Sequence, residues 1–254
     1  SIECFNRLRP YFGECLATMQ AMKHLDLESK DGKAPGGFMY PLYEIGVPFI
    51  FMNAVGSQRD VVTMVHEGGH AVHSFLCRNL SMTEFKSTPS EVAELASMSM
   101  ELISMDNWDV FYSDDKELNR AKLEQLEKAL ETLPWVAAID KFQHWIYTNK
   151  HTAQQRKEKW LEISAKLGNQ IIDWEGNENV HANLWQRQLH LYEVPFYYIE
   201  YGMAQLGAIA IWRSYKKLGE SGLDNYIAAL KLGYTKSISE IYETAGIKFD
   251  FSVG

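Results

Sequence analysis

Apolar residues recur every three or four positions along most of this chain, the spacing of helices that bury one face. The pattern runs through residues 1–24 despite Pro10, then through Arg59–Arg78, Ser87–Met105 and Asp114–Leu133. It continues in "AIDKFQHWIYTN", "TAQQRKEKWLEISAKLG", "PFYYIEYGMAQLGAIAIWRSYKKLG" and "LDNYIAALKLG". Pro89 and Ser90 mark a helix start, and the Glu- and Lys-rich face of Asp114–Leu133 reads as solvated. One stretch breaks the period. "FMYPLYEIGVPFIFMN" is aromatic and β-branched, and Pro41 and Pro48 cut it into two short strands, a hairpin or an edge. The polar, glycine-rich Asp26–Gly37 ahead of it is expected to be a loop. With no repeat, low-complexity segment or linker, the expectation is one mainly α domain over residues 1–254, with a small β-sheet just before the helix at Arg59–Arg78.

Composition narrows the classes. The chain has 254 residues, 46% apolar and 23% charged, which is ordinary for a globular protein. A net charge of −8 argues against nucleic acid or an anionic membrane as partner. No apolar run approaches the roughly 18 residues of a membrane span. The opening "SIECFNRLRP" lacks the layout of a signal peptide. Cys4, Cys15 and Cys77 are scattered, without the CxxC spacing of a thiolate zinc site or a disulfide framework, so a cytoplasmic location is the simplest expectation. The sequon at Asn79–Ser81 reads as chance.

The chemistry concentrates in "VVTMVHEGGHAVHSF", residues 61–75. His66 and His70 are four apart and so share a helix face, a spacing that lets two imidazoles reach one Zn²⁺ at about 2.0–2.1 Å. Glu67 sits one residue round, where its carboxylate can act on a water rather than on the metal; HExxH on a helix is the arrangement of a zinc hydrolase with Glu as general base. Gly68 and Gly69 each weaken a helix interior by about 1 kcal/mol relative to alanine, which points to a close approach by another element or by substrate. His73 lies about 10.5 Å along the helix from His66, too far for both to bind one metal, so a role in packing or in supporting a ligand from behind is expected.

A catalytic zinc needs a third protein ligand. Glu91, Glu94 and Glu101 lie on the next helix at spacings that allow all three to face the same way, and buried glutamates are rare unless paired or bound to a cation. Spacing favours the central Glu94 and leaves Glu91 open. Downstream, Tyr198 and Tyr201 are expected to share a helix face with Tyr197 beside it, and a tyrosine or histidine aimed at a developing oxyanion would stabilise it.

"HEGGHAVHSF" followed by "EVAELASMSMELI" resembles the thimet oligopeptidase family of zinc peptidases, within it the oligoendopeptidase F branch. "DGKAPGGF" resembles that family's loop before a substrate-facing strand, and "WQRQLHLYEVPFYYIEYGMAQLGA" resembles its segment with a histidine and closely spaced tyrosines. The likeness extends to "IYETAGIKFDFS" and covers nearly the whole chain. It implies a zincin-like helical metallopeptidase domain, the catalytic C-terminal region of a longer architecture, with one Zn²⁺ held by His66, His70 and Glu94. It implies Glu67 as base and His190 with Tyr198 and Tyr201 on the oxyanion side. The implied substrates are oligopeptides cut at internal bonds, their backbone pairing with the strand near residues 45–53. A related zinc exopeptidase and a peptide- or zinc-binding module without turnover are the alternatives.

Overall fold

The structure, a computed structural model, describes residues 1–250 and 252; Phe251, within the "IYETAGIKFDFS" match, lies outside the described residues. Pro10 starts a helix rather than interrupting one. Helix α1 (Ile2–Leu8) ends at Arg9, whose backbone is extended, and α2 (Pro10–Ala21) begins with the proline in its first turn, where a missing N–H costs nothing.

Three strands follow: β1 (Leu25–Glu28), β2 (Gly37–Tyr40) and β3 (Phe49–Ala54), in the order β1-β3-β2. β2 and β3 pair antiparallel, with Phe38 opposite Phe51, and Pro41 and Pro48 lie just outside their facing ends. β1 corrects the expectation of a loop, because Leu25 and Asp26 pair in parallel with Ile50 and Phe51. A four-residue strand whose partner lies 25 residues away leaves no local signature. Lys33 ties the intervening loop back to β1: its ammonium donates to the Asp26 carbonyl and carboxylate and to the Glu28 carbonyl, and sits 4.6 Å from the centre of the Phe51 ring. β3 also corrects the expected role of residues 45–53. It is the central strand, its backbone groups shared with neighbours on both sides, so it has no edge to offer a peptide.

The histidine helix, α3 (Gln58–Cys77), packs on the sheet and on α5 (Ser90–Ser104), with α4 (Thr83–Lys86) between them in sequence. Its N-terminus is closed by a capping box of Ser57 and Asp60. The paired glycines now have a physical reason. A Cβ on Gly68 would lie 2.6 Å from the Phe5 ring, and one on Gly69 would lie 2.8 Å from Ser97 Cα and 3.0 Å from the Ala96 carbonyl oxygen. The close approach is made by protein elements, and it lets α3 and α5 touch at backbone level.

Helix α6 (Asp115–Thr148) runs 34 residues through Pro134, joining two patterns that read separately in the sequence. After it come α7 (Ala153–Leu167), α8 (Glu178–Ala182), α9 (His190–Glu193), α10 (Ile199–Leu218), α11 (Glu220–Lys231) and α12 (Ile238–Thr244). The chain forms two compact units, Ser1–Leu126 with Ala204–Gly254, and Glu127–Met203. In the first, the buried Tyr226 hydroxyl donates to the Ala96 carbonyl at 2.7 Å and Tyr242 donates to the Glu91 carbonyl at 3.0 Å, fastening α5 to α11 and α12. The second has its own core of Ile139, Phe142, Trp160, Ile163 and Trp185. Among the described residues, no helix is long and apolar enough to cross a membrane.

Candidate metal centre

His66 and His70 project from one face of α3 toward Glu94 on α5. His66 Nε2 lies 3.4 Å and His70 Nε2 3.8 Å from the same Glu94 oxygen, and the three donor atoms all fall within 4.8 Å of one another. Four ligands at 2.0–2.1 Å from a tetrahedral zinc sit roughly 3.3 Å apart, so this spacing needs only slight closing to hold such an ion. Two imidazoles and one carboxylate are also a donor set of catalytic zinc, leaving a fourth position for water or substrate. The residues fit the metal that the motif implies.

The electrostatics follow from burial and pairing. Burial works against a charged His66, but the Glu101 and Glu94 carboxylates outweigh it and raise its pKa well above the ordinary value. Burial lowers His70 to about 4. At Glu94 burial opposes the charge, yet hydrogen bonding with His66, then the His70 ring and the Ser97 hydroxyl, holds the carboxyl down near 2. Glu94 therefore stays an anion with a fixed orientation, one oxygen accepting from Ser97 Oγ at 3.1 Å.

Glu67 is buried at 6% exposure, and burial raises its pKa above the ordinary carboxylate value. The main-chain N–H of Met39 on β2 donates to it and opposes that rise. His73 stands outside the donor grouping. It is buried and lowered to about 4 by desolvation, and its Nε2 has no hydrogen-bond partner among the described residues. Glu91 also stands outside it. The third glutamate of α5, Glu101, instead backs His66, accepting from its Nδ1 at 2.6 Å, and Gln125 on α6 donates to the other Glu101 oxygen. Spacing marked Glu101 as inward-facing but assigned it no task, and Ser97 and Gln125 carried no signal of their own in the motif.

The second unit holds the other predicted group. Gln188 and the Tyr201 hydroxyl flank His190, with Gln188 Nε2 2.6 Å from its Nδ1 and the tyrosine oxygen 3.3 Å from its Nε2. The rings of Tyr197, Tyr198 and Tyr201 surround it with centroids 5.8, 5.2 and 5.5 Å away. Tyr198 packs against the unit's hydrophobic core and lies beside Trp135, whereas the Tyr201 hydroxyl engages the histidine. Phe196, just before them, takes a left-handed backbone with φ of 64°, unusual for a bulky residue.

Comparison with known proteins adds a family likeness that covers most of the chain. The model of Peptidase family M3 matches residues 16–253. Oligopeptidase PepF of Bacillus subtilis is 26% identical over 231 residues, covering 88% of this chain and 33% of the relative. The plasmid-borne oligoendopeptidase F of Lactococcus lactis subsp. cremoris is 24% identical, covering 95% of this chain and 40% of the relative. The solved structure of PZ peptidase A with inhibitor 2 superposes with a TM-score of 0.90 at 30% identity, over 98% of this chain and 44% of that one. The chain thus spans about a third to two-fifths of the curated relatives' length.

Proposed function

The chain belongs to peptidase family M3, on its oligoendopeptidase F side, and from that membership we propose that it carries the catalytic region of a zinc endopeptidase acting on short, unstructured peptides. The observation that carries the reading is the convergence of His66 Nε2, His70 Nε2 and Glu94 Oε2 beside a buried Glu67. A zinc ion held by those three residues supplies a Lewis acid for the scissile carbonyl and lowers the pKa of a neighbouring water.

The protein's own groups do the rest. Glu67 accepts the proton of the attacking water and passes it to the leaving amine nitrogen, and its raised pKa suits a base that must also act as an acid near neutrality. Donors for the oxyanion are assigned to His190 and Tyr201; the core-packed ring of Tyr198 makes Tyr201 the better donor of the pair.

The peptide's place on the sheet is β2, an edge strand. The Asn53 N–H donates to the Gly36 carbonyl, so antiparallel alternation turns Gly37 and Met39 outward from β3. Met39 already directs its N–H to Glu67 from that outer edge, which supports peptide addition there with the scissile bond near the base.

Hydrolysis of an internally quenched peptide of about ten residues tests the proposal, with and without a chelator and alongside Glu67→Gln at matched zinc content. Chelator-sensitive internal cleavage that falls roughly 10²–10⁴-fold in Glu67→Gln is expected. Cleavage only at a terminus would make the enzyme an exopeptidase, and stoichiometric zinc binding without turnover would make this chain a binding module.

A further inference from the structure

We propose that Gln125 and Glu101 form a positioning pair for His66, fixing the ring so that Nε2 is the nitrogen offered to a metal. The inference rests on the zinc reading above. Each link in the relay is short: Glu101 Oε1 lies 2.6 Å from His66 Nδ1, and Gln125 Nε2 donates to Glu101 Oε2. The Glu101 side chain is 13% exposed and Gln125 is 5% exposed, so neither is a surface contact that water could replace.

The chemistry gives the relay a direction. A carboxylate that accepts the Nδ1–H hydrogen bond keeps the proton on that nitrogen, so Nε2 is the one whose lone pair a metal would take; Nε2 is the nitrogen 3.4 Å from Glu94. A carboxylate can rotate about its last bond, and the Gln125 amide, by holding the second oxygen, stops Glu101 from swinging off the ring. His70 is served differently, by the Ala93 carbonyl, a fixed backbone group that needs no further support. The two histidines therefore differ in what holds them, and only His66 depends on α6.

Packing alone does not explain Gln125. Its neighbours one turn away on either side, Ala121 and Ala129, are buried, so the position lies on an apolar face where leucine or methionine would satisfy the core. A glutamine at such a position needs a partner, and Glu101 is that partner.

Gln125→Met keeps length and shape and removes the donor. Gln143→Met is the control: Gln143 is 1% exposed in the second unit and its Nε2 has no hydrogen-bond partner among the described residues. Zinc affinity of the full chain is measured by chelator competition, the tautomer of His66 in the zinc-loaded protein by ¹⁵N signals of its ring nitrogens, and folding by the thermal midpoint of the metal-free protein. Gln125→Met is expected to weaken zinc about 10–100-fold and to broaden or mix the His66 tautomer signals; Gln143→Met leaves both as in the wild type. Glu101→Gln, which retains an acceptor without the charge, carries the same test if Gln125→Met does not fold. Wild-type zinc affinity and a single His66 tautomer in the folded variants would overturn the pair. Failure of the wild-type chain to bind zinc would instead overturn the zinc reading, and the two failures are told apart by which protein shows them.

Discussion

The two groups of side chains assigned to chemistry are held in opposite ways. His66, His70 and Glu94 stand on two long helices that meet at backbone level, and each reaches further polar partners: Glu101, the Ala93 carbonyl and Ser97. His190 sits on a four-residue helix, Tyr197 and Tyr198 lie in the turn just after the strained backbone of Phe196, and Tyr201 stands in the first turn of α10; the group is held mainly by ring contacts. The difference matches the tasks. Metal ligands must converge to tenths of an ångström, which packed helices enforce. Hydrogen-bond donors tolerate looser placement and gain from a segment that can adjust, and strained backbone of this kind gathers at functional turns.

The largest effect separates the two groups directly. On the proposed reading, Glu94→Ala or His70→Ala should lose both zinc and peptidase activity, because each removes one of the three groups placed to ligate the metal. Tyr201→Phe should retain a full complement of zinc and lower kcat about 10²–10³-fold with little change in KM, the signature of a donor used only in the transition state. Metal analysis with steady-state kinetics on both variants decides it. A Tyr201→Phe enzyme with undiminished kcat would move the donor role to Tyr197, whose ring also faces His190.

This contrast also explains what was legible in the sequence. His66, Glu67 and His70 were legible because a helix converts a fixed spacing into a fixed geometry, whereas the period of α5 favoured Glu94 and left Glu91 open until the family resemblance pointed to Glu94. The glycines announced a close approach without saying to what; only the fold identifies Phe5 and the α5 backbone. Pairing in the sheet is nonlocal, so β1 read as a loop and β3 as a peptide-facing edge until the strand order β1-β3-β2 was known. Gln125 was invisible for a related reason: its partner lies on another helix, and nothing local distinguishes it from a solvated glutamine. The division at Leu126 and Met203 also left no linker to read, since it falls within the two helices α6 and α10.

A second test bears on packing. Gly69→Ala would bring a methyl group against Ser97 Cα and the Ala96 carbonyl oxygen, backbone atoms that give way only if the helices part. Overpacking of this sort costs about 1–3 kcal/mol, offset by up to about 1 kcal/mol of helix propensity, so a net loss of about 1–2 kcal/mol is expected. Gly202→Ala on α10 meets only the Val136 Cγ1 methyl at 3.0 Å, a side-chain atom that can yield by tenths of an ångström. Its effect should be within about 0.5 kcal/mol of neutral, because propensity offsets the contact. Chemical unfolding midpoints measure both, and equal losses would mean that the α3–α5 contact is no tighter than its surroundings.

The smallest effect is also the one that separates the regions by pH. Helix α3, which bears the histidines, is capped by a charge: Asp60 accepts from the Ser57 and Val55 N–H groups at 2.7 and 3.0 Å and from the Ser57 hydroxyl at 3.0 Å. Slight burial opposes that charge, but these donors outweigh it and place the Asp60 pKa below its ordinary 3.8. Helix α7 of the second unit is capped by a neutral pair, Thr152 Oγ1 accepting from the Gln155 N–H and the Gln155 side chain accepting from the Thr152 N–H. A carboxyl whose pKa falls on folding stabilises the fold above its unfolded pKa, and that contribution fades as pH drops through the folded value. Asp60→Ala should therefore cost about 1 kcal/mol at pH 7 and progressively less below pH 4, as the wild type loses the same cap by protonation. Thr152→Ala should cost about 1 kcal/mol at either pH, since neither partner titrates there. Unfolding free energies of the two variants relative to wild type, measured from pH 7 down to pH 3, make the comparison. Parallel curves would show that the Asp60 charge adds nothing beyond a neutral acceptor, and that the site-bearing helix is capped no differently from the other.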